Sequence, residues 1–179
     1  MKTMIANIGG AMAYPNVRDY LIQIEEYCNI PDFLFVQEPG SDENFDDTIL
    51  EPFFTNWKTF GKIRIHHHKD AVFTNLEEVV GIDACSIVTN FKMGKGEFKL
   101  VTIGAYRRHS IDKATFFEKL DKHLDKYTNH YILLCGDFNT HNDDILLTKL
   151  IDSHSVYLVC QISVTNIEIL TESIKLITY

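Results

Sequence analysis

The chain has no apolar stretch of roughly 18 residues or more, which excludes a membrane-spanning helix. Met1 and Lys2 are not followed by the apolar core of a secretory signal. Neither secretion nor membrane insertion is therefore expected, and an intracellular location in nucleus or cytoplasm remains. Cysteine is sparse and scattered: Cys28, Cys85, Cys135 and Cys160 lack the paired spacings of zinc sites, and free buried thiols are the expected state. Positive charge is in deficit, with 17 Lys and Arg against 25 Asp and Glu and a net charge of −8. Nonspecific nucleic-acid affinity comes mainly from neutralised phosphates, so this deficit argues against a general nucleic-acid coat. It does not exclude a nuclease, whose metal site collects carboxylates by necessity. Linkers, internal repeats and low-complexity tracts are also missing. Residues 1–179 are expected to form one domain, with 45% hydrophobic residues supplying an ample core.

What is present is an apolar run that stops at polar chemistry. Tyr131, Ile132, Leu133, Leu134 and Cys135 read as a buried strand, Gly136 permits close backbone approach, and Asp137 and Asn139 fall on one side by the two-residue period of a strand. A carboxylate and an amide at a strand end suit a hard cation or a phosphate oxygen. The alternative is an Asx-type turn in which both only hydrogen-bond the local backbone. Residues 31–39 have the same form, an apolar strand that ends in Gln37 and Glu38 and is stopped by Pro39. A third short apolar strand, within residues 4–10, carries Asn7 just before the pair Gly9 and Gly10. Strands ending in Asn, Glu and Asp-x-Asn can gather oxygen ligands of the kind Mg²⁺ prefers.

Around these strands the pattern alternates. Pro15 and Asn16 start a helix with Val17, Tyr20, Leu21, Ile24 and Tyr27 or Cys28 on one face, giving a βαβ unit that ends at Glu38. Residues 57–65, 71–74 and 84–91 are expected as strands, 93–96 as a turn and 97–106 as a further strand, with antiparallel pairing. Ser110 or Asp112 caps a helix through Tyr127 whose stripe is Ala114, Phe117, Leu120, Leu124 and Tyr127. A shorter helix from Asn142 presents Leu146, Leu147, Leu150 and Ile151, and strands follow at 156–160 and 173–178. The class is α/β, a two-sheet sandwich flanked by helices. His66, His67 and His68 alternate along a strand and cannot all face one ion, so an exposed loop or strand edge is expected there. Lys62, Arg64, Lys92, Lys95, Lys99, Arg107 and Arg108 are expected as scattered solvated side chains rather than a basic surface, and the acidic residues 41–47 as a solvated connection.

The order Asn7, Gln37-Glu38, then Gly136-Asp137-Phe138-Asn139 resembles the endonuclease/exonuclease/phosphatase superfamily, the Gly-Asp-Phe-Asn match being the specific part. Ile103-Gly104-Ala105-Tyr106-Arg107-Arg108 and the helix after it look like the Tyr-Arg-Pro-Pro strand and helix of one branch, the endonuclease domains of non-LTR (LINE-type) retrotransposons. Arg108 and His109 stand where that branch has prolines. The Gln-Glu-Pro at 37–39 and the loop and helix after Asn139 also look like that branch, so the resemblance covers most of the chain. It implies the helix-flanked two-sheet sandwich, Mg²⁺ or Mn²⁺ as cofactor and DNA as substrate. A reverse transcriptase would accompany an intact element, and this chain contains none. The resemblance also implies roles. Glu38 holds the metal directly, Asn7 and Asp137 flank metal and nucleophile, Asn139 binds the scissile phosphate, Tyr106 sits beside it and Arg107 adds a charge-assisted contact. Without the resemblance, Tyr106 and Arg107 read equally as strand-end packing and a solvated charge.

The family also carries Ser-x-x-Asp-His near its C-terminus, the Asp-His pair activating the attacking water. This chain has no Asp-His pair. Laying the retrotransposon pattern on Val164-Thr165-Asn166-Ile167 and Lys175-Leu176-Ile177-Thr178-Tyr179 puts Thr178 and Tyr179 at the Asp and His positions. Asp152 and His154 are the nearest substitutes, expected in a helix and turn. The fold is accordingly expected to be C-terminally incomplete, with an unpaired edge strand. A general base contributes roughly 10² to 10⁴-fold, so binding should outlast turnover. The expectation is a divalent-metal-dependent phosphodiester hydrolase, endonuclease-like and impaired. The alternatives are an inactive nucleic-acid- or phosphate-binding remnant, or a phosphatase of the same superfamily.

Overall fold

Strand alternation organises the molecule. In β2 (Phe33–Gln37), Phe33 and Phe35 join one apolar cluster while Leu34 and Val36 join another on the opposite face. The computed structural model describes residues 2–25, 30–41, 45–93, 95–141 and 144–159, and these contain nine strands and three α-helices. β1 (Thr3–Asn7), β2, β3 (Asn56–Phe60) and β4 (Ile63–His67) form one sheet in the order β1-β2-β4-β3, with β1 and β2 parallel. β5 (Asn75–Glu78), β6 (Asp83–Met93), β7 (Gly96–Tyr106), β8 (Tyr131–Asp137) and β9 (Tyr157–Val159) form the second in sequence order, with β7, β8 and β9 parallel.

The sheets pack face to face through Ile5, Phe33, Phe35, Ile63, Ile65, Cys85, Ile87 and Cys135. α1 (Tyr14–Glu25) covers the outer face of the first sheet through Tyr14, Val17 and Leu21. α2 (Lys113–Leu124) and α3 (Ile145–His154) cover the second, setting Phe116, Phe117, Leu120, Leu147 and Leu150 against Val101, Ile103, Ile132 and Leu134. This is the expected two-sheet α/β sandwich flanked by helices. Gly104 admits the facing ring of Phe35, since a Cβ there would lie 2.2 Å from Phe35 Cδ1. No helix among the described residues is long and apolar enough to cross a membrane. Cys85 and Cys135 are free and buried, and burial pushes both thiols up, Cys135 to about 12.

Several local expectations are corrected. Residues 57–65 are two strands, because Gly61, at φ 57°, turns the chain between β3 and β4. The strand expected at 71–74 falls instead on Asn75–Glu78, while Ala71 and Phe73 plug the edge of the inter-sheet core. On α2 the buried stripe is Phe116, Phe117, Leu120, His123 and Leu124, with Ala114 exposed. Of the two caps expected for α2, Asp112 is the one used, accepting from Thr115 N–H at 2.9 Å, and α3 has Asp144 as its N-cap. His66 is buried, because β4 lies inside its sheet and the rings of Tyr14, Phe45 and Phe54 surround the imidazole. Burial first and Arg64 second drive its pKa to about 3. Arg64 is not solvated either: it is 0% exposed, its guanidinium lying 4.0 Å from the Phe45 ring and 4.9 Å from Trp57 and donating to Tyr14 Oη at 3.0 Å. In the acidic loop Asp46 caps a short 3-10 turn through Thr48 N–H. The strand expected at 173–178, the two segments laid on the Asp-His region, Cys28 and Cys160 lie outside the described residues.

Candidate active site

The period of two that places Ile5, Phe35, Gly104 and Cys135 between the sheets carries Asn7, Gln37, Tyr106 and Asp137, two residues further on, to the mouth of the same interface. Bonds across the sheets show that the four strand ends meet. Gln37 Nε2 donates to Ala105 O at 2.6 Å, and Asn7 Nδ2 donates to Asp137 Oδ2 at 3.4 Å. The same amide donates to Glu38 Oε1 at 3.2 Å, while Asn7 Oδ1 accepts from Gly9 N–H at 3.3 Å and so fixes which end faces the carboxylates. Glu38 follows β2 at φ 51°, and its N–H donates to Lys62 O at 2.9 Å.

Tyr106 is buried and its hydroxyl hydrogen-bonds the Glu38 carboxylate. Burial, then Glu38 and Asp137, raise the phenol above its usual range, so it keeps its proton and remains a donor. Asn139 N–H donates to Asp137 Oδ1 at 2.9 Å, so the Asx-type turn exists at the very position where Asp137 faces Asn7. Asn139 sits at φ 46°; its Nδ2 donates to Arg107 O at 2.6 Å and its side chain also bonds the Tyr106 hydroxyl. Arg107 is buried, with Nε on Phe138 O at 2.6 Å, Nη1 on Ile111 O at 3.0 Å and Nη2 on Asn139 O. It is a clamp on the 137–139 turn, not the solvated charge of the simpler expectation. Gly136 is required beneath that turn: at φ 150°, an added Cβ would lie 1.8 Å from Ala105 O.

One residue at this end was not singled out from sequence. Asp83, buried at the start of β6, accepts from Lys62 N–H at 3.0 Å and from Arg108 Nη2 at 2.7 Å. The available signal was a carboxylate directly ahead of Ala84, Cys85, Ile87 and Val88. Asp152 and His154 do not reach the mouth: both lie on α3 in the outer helical layer, where His154 Nε2 pairs with Asp121 at 2.8 Å. Lys92 and Lys99 are exposed on the distal half of the β6–β7 hairpin.

Glu38 and Asp137 present hard oxygens toward one amide, a donor set that fits Mg²⁺ or Mn²⁺, which commonly take one or two carboxylates and complete their shell with water or substrate oxygens. Among the described residues no group of three or more His, Cys, Asp or Glu side chains is gathered, which does not suit a zinc-type cage.

The two packed sheets and their helices are similar in fold to solved structures of the endonuclease/exonuclease/phosphatase type. The human Nocturnin catalytic domain with bound sulfate anion is 15% identical at a TM-score of 0.54, over 86% of this chain and 69% of that one. Sphingomyelinase C from Streptomyces griseocarneus is 11% identical at 0.55, over 86% and 69%. A conserved protein of unknown function from Enterococcus faecalis V583 is 13% identical at 0.55, over 85% and 72%. No family model matches the chain, and neither does any curated protein sequence.

Proposed function

We propose that this chain is a divalent-metal-dependent phosphodiester hydrolase, endonuclease-like and of retroelement type, acting on DNA with weakened water activation. The observation that supports this best is the convergence of Asn7, Glu38, Tyr106, Asp137 and Asn139 from separate strand ends into one hydrogen-bonded mouth. The DNA substrate and the retroelement origin rest on the Gly-Asp-Phe-Asn and Tyr-Arg resemblance.

Glu38 and Asp137 would hold Mg²⁺ or Mn²⁺, which when bound supplies Lewis-acid stabilisation of charge on the phosphoryl oxygens. Asn7 sets the spacing of the two carboxylates, and Tyr106 orients Glu38 with a proton it retains. Asn139 gives one amide proton to Arg107 O, and the other is the one a phosphate oxygen would take. Arg107 acts from behind, holding the turn that carries Asp137 and Asn139. Among the described residues no histidine bonds Asp137, and the sequence has no Asp-His pair. That absence favours a second reading, a scaffold that binds metal and phosphate without efficient cutting.

Calorimetry with Mn²⁺ and nicking of supercoiled plasmid test both. The first reading expects Mn²⁺ binding weakened at least tenfold, about 1.4 kcal/mol, by Glu38→Ala, and slow nicking abolished by Asp137→Ala. Binding without nicking assigns the second. No Mn²⁺ binding by the folded chain sinks the metal site itself.

A further inference from the structure

The geometry points to Asp83 and Arg108 as positioning residues for Glu38, acting through the backbone of Lys62; the inference rests on reading Glu38 as a metal ligand. Glu38 has a left-handed backbone that a residue with a side chain seldom adopts, and such a conformation persists where the surroundings over-determine it. One side of it is held by Asn7 and Tyr106, which bond its carboxylate. The other is held by its own N–H, donated to Lys62 O at 2.9 Å. Lys62 belongs to the short β3–β4 turn between Phe60 and Ile63, exposed at the tip of the hairpin.

Asp83 supplies the restraint from the opposite sheet. Its Oδ1 accepts Lys62 N–H at 3.0 Å and lies 1.9 Å from where a Cβ on Gly61 would stand, so the carboxylate is seated directly on the turn backbone. A carboxylate this buried needs a partner that compensates its charge. Arg108 is that partner: its Nη2 reaches Asp83 Oδ1 at 2.7 Å and its Nε reaches Oδ2, a two-pronged grip that fixes the carboxylate plane as well as its charge. The relay Arg108, Asp83, Lys62, Glu38 thus ties the end of β7 to the end of β2 through one ion pair and two backbone hydrogen bonds. It also gives Arg108 a task at a position where the retrotransposon branch carries proline. Neither Asp83 nor Arg108 touches the mouth where metal and phosphate would sit, so their effect is on placement.

Arg108 is 44% exposed, so Arg108→Ala should fold. Its Mn²⁺ affinity, followed by calorimetry, is expected to fall about tenfold or more, the scale on which outer partners of metal ligands act. Arg108→Lys should recover part of that loss. In ¹⁵N-labelled protein, the amide signals of Lys62 and Glu38 should shift and exchange faster in Arg108→Ala. A purely electrostatic role predicts the reverse, since removing a cation beside the site would tighten Mn²⁺. Unchanged or tighter binding in Arg108→Ala therefore overturns the positioning role. Unmoved Lys62 and Glu38 amides overturn the relay itself, with or without metal. No Mn²⁺ binding by the unaltered chain would instead bring down the metal reading of Glu38, so the two failures are told apart.

Discussion

At Gly136 a single added methyl would collide with the backbone of β7. Gly136→Ala puts a Cβ 1.8 Å from Ala105 O in a backbone region L side chains avoid, and is expected to cost about 3 kcal/mol. Urea unfolding monitored by circular dichroism measures it; a loss under about 0.5 kcal/mol would mean that β7 and β8 separate freely there. His66 is an acid-sensitive residue. Its folded pKa, about 3, lies below the ordinary 6.5, so the fold excludes a proton that the unfolded chain binds. Stability is therefore expected to decline as pH falls from 6.5 towards 3 and to decline no further on this account below that. His66→Phe, which keeps a ring among Tyr14, Phe45 and Phe54, should flatten the pH dependence of the urea midpoint over that window. An unchanged slope would show that the imidazole takes up its proton in the folded state.

Among the elements, α2 and α3 are joined at their N-termini. Asp144 caps α3 through Leu146 N–H at 3.0 Å and pairs with Lys113, the first residue of α2. Lys113 is the main cause, with Thr140 adding a hydrogen bond, that holds the Asp144 carboxyl down at about 2. A depressed carboxylate contributes stability above the ordinary value of 3.8 and loses it as pH falls through about 2. Asp144→Ala is expected to cost about 1 kcal/mol at pH 7, measured by urea unfolding, with the difference shrinking from pH 4 towards pH 2. A difference that persists undiminished at pH 2 would assign the loss to packing rather than to the charged cap. These elements also show how far periodicity reaches. The stripe expected on α2 includes Phe117, Leu120 and Leu124, yet Ala114 is exposed while Phe116 is buried beside Phe138 and His123 is buried against Ser86 on β6.

For the whole molecule, charge governs how nucleic acid could be held. With a net charge of −8, Arg107 tied to three carbonyls and Arg108 paired with Asp83, the exposed cation nearest the mouth among the described residues is Lys62. A single phosphate contact implies a log–log dependence of DNA affinity on salt with a slope of roughly −1. Fluorescence anisotropy with a short duplex across a salt series checks this, and a slope steeper than about −5 would reveal a basic surface that neither composition nor fold suggests.

An apolar run followed by a polar stop is written in adjacent residues, so β1, β2 and β8, with Asn7, Glu38 and Asp137 at or just past their ends, are legible in the sequence, whereas Tyr106 at the end of β7 stood out only through the resemblance. The Asx-type turn at Asp137 and Asn139 is legible for the same reason, its partners being two positions apart. Burial of charge is not written locally. Arg64 and His66 have the composition of a solvated edge, and they become core because Tyr14, some 50 residues earlier, and Phe45 close over β4. Asp83 gains its place only when Arg108, 25 positions away, and the Gly61 turn of the other sheet arrive beside it. The desolvation that makes these groups matter is a property of the assembled sandwich, because a lone side chain keeps its water until other segments displace it.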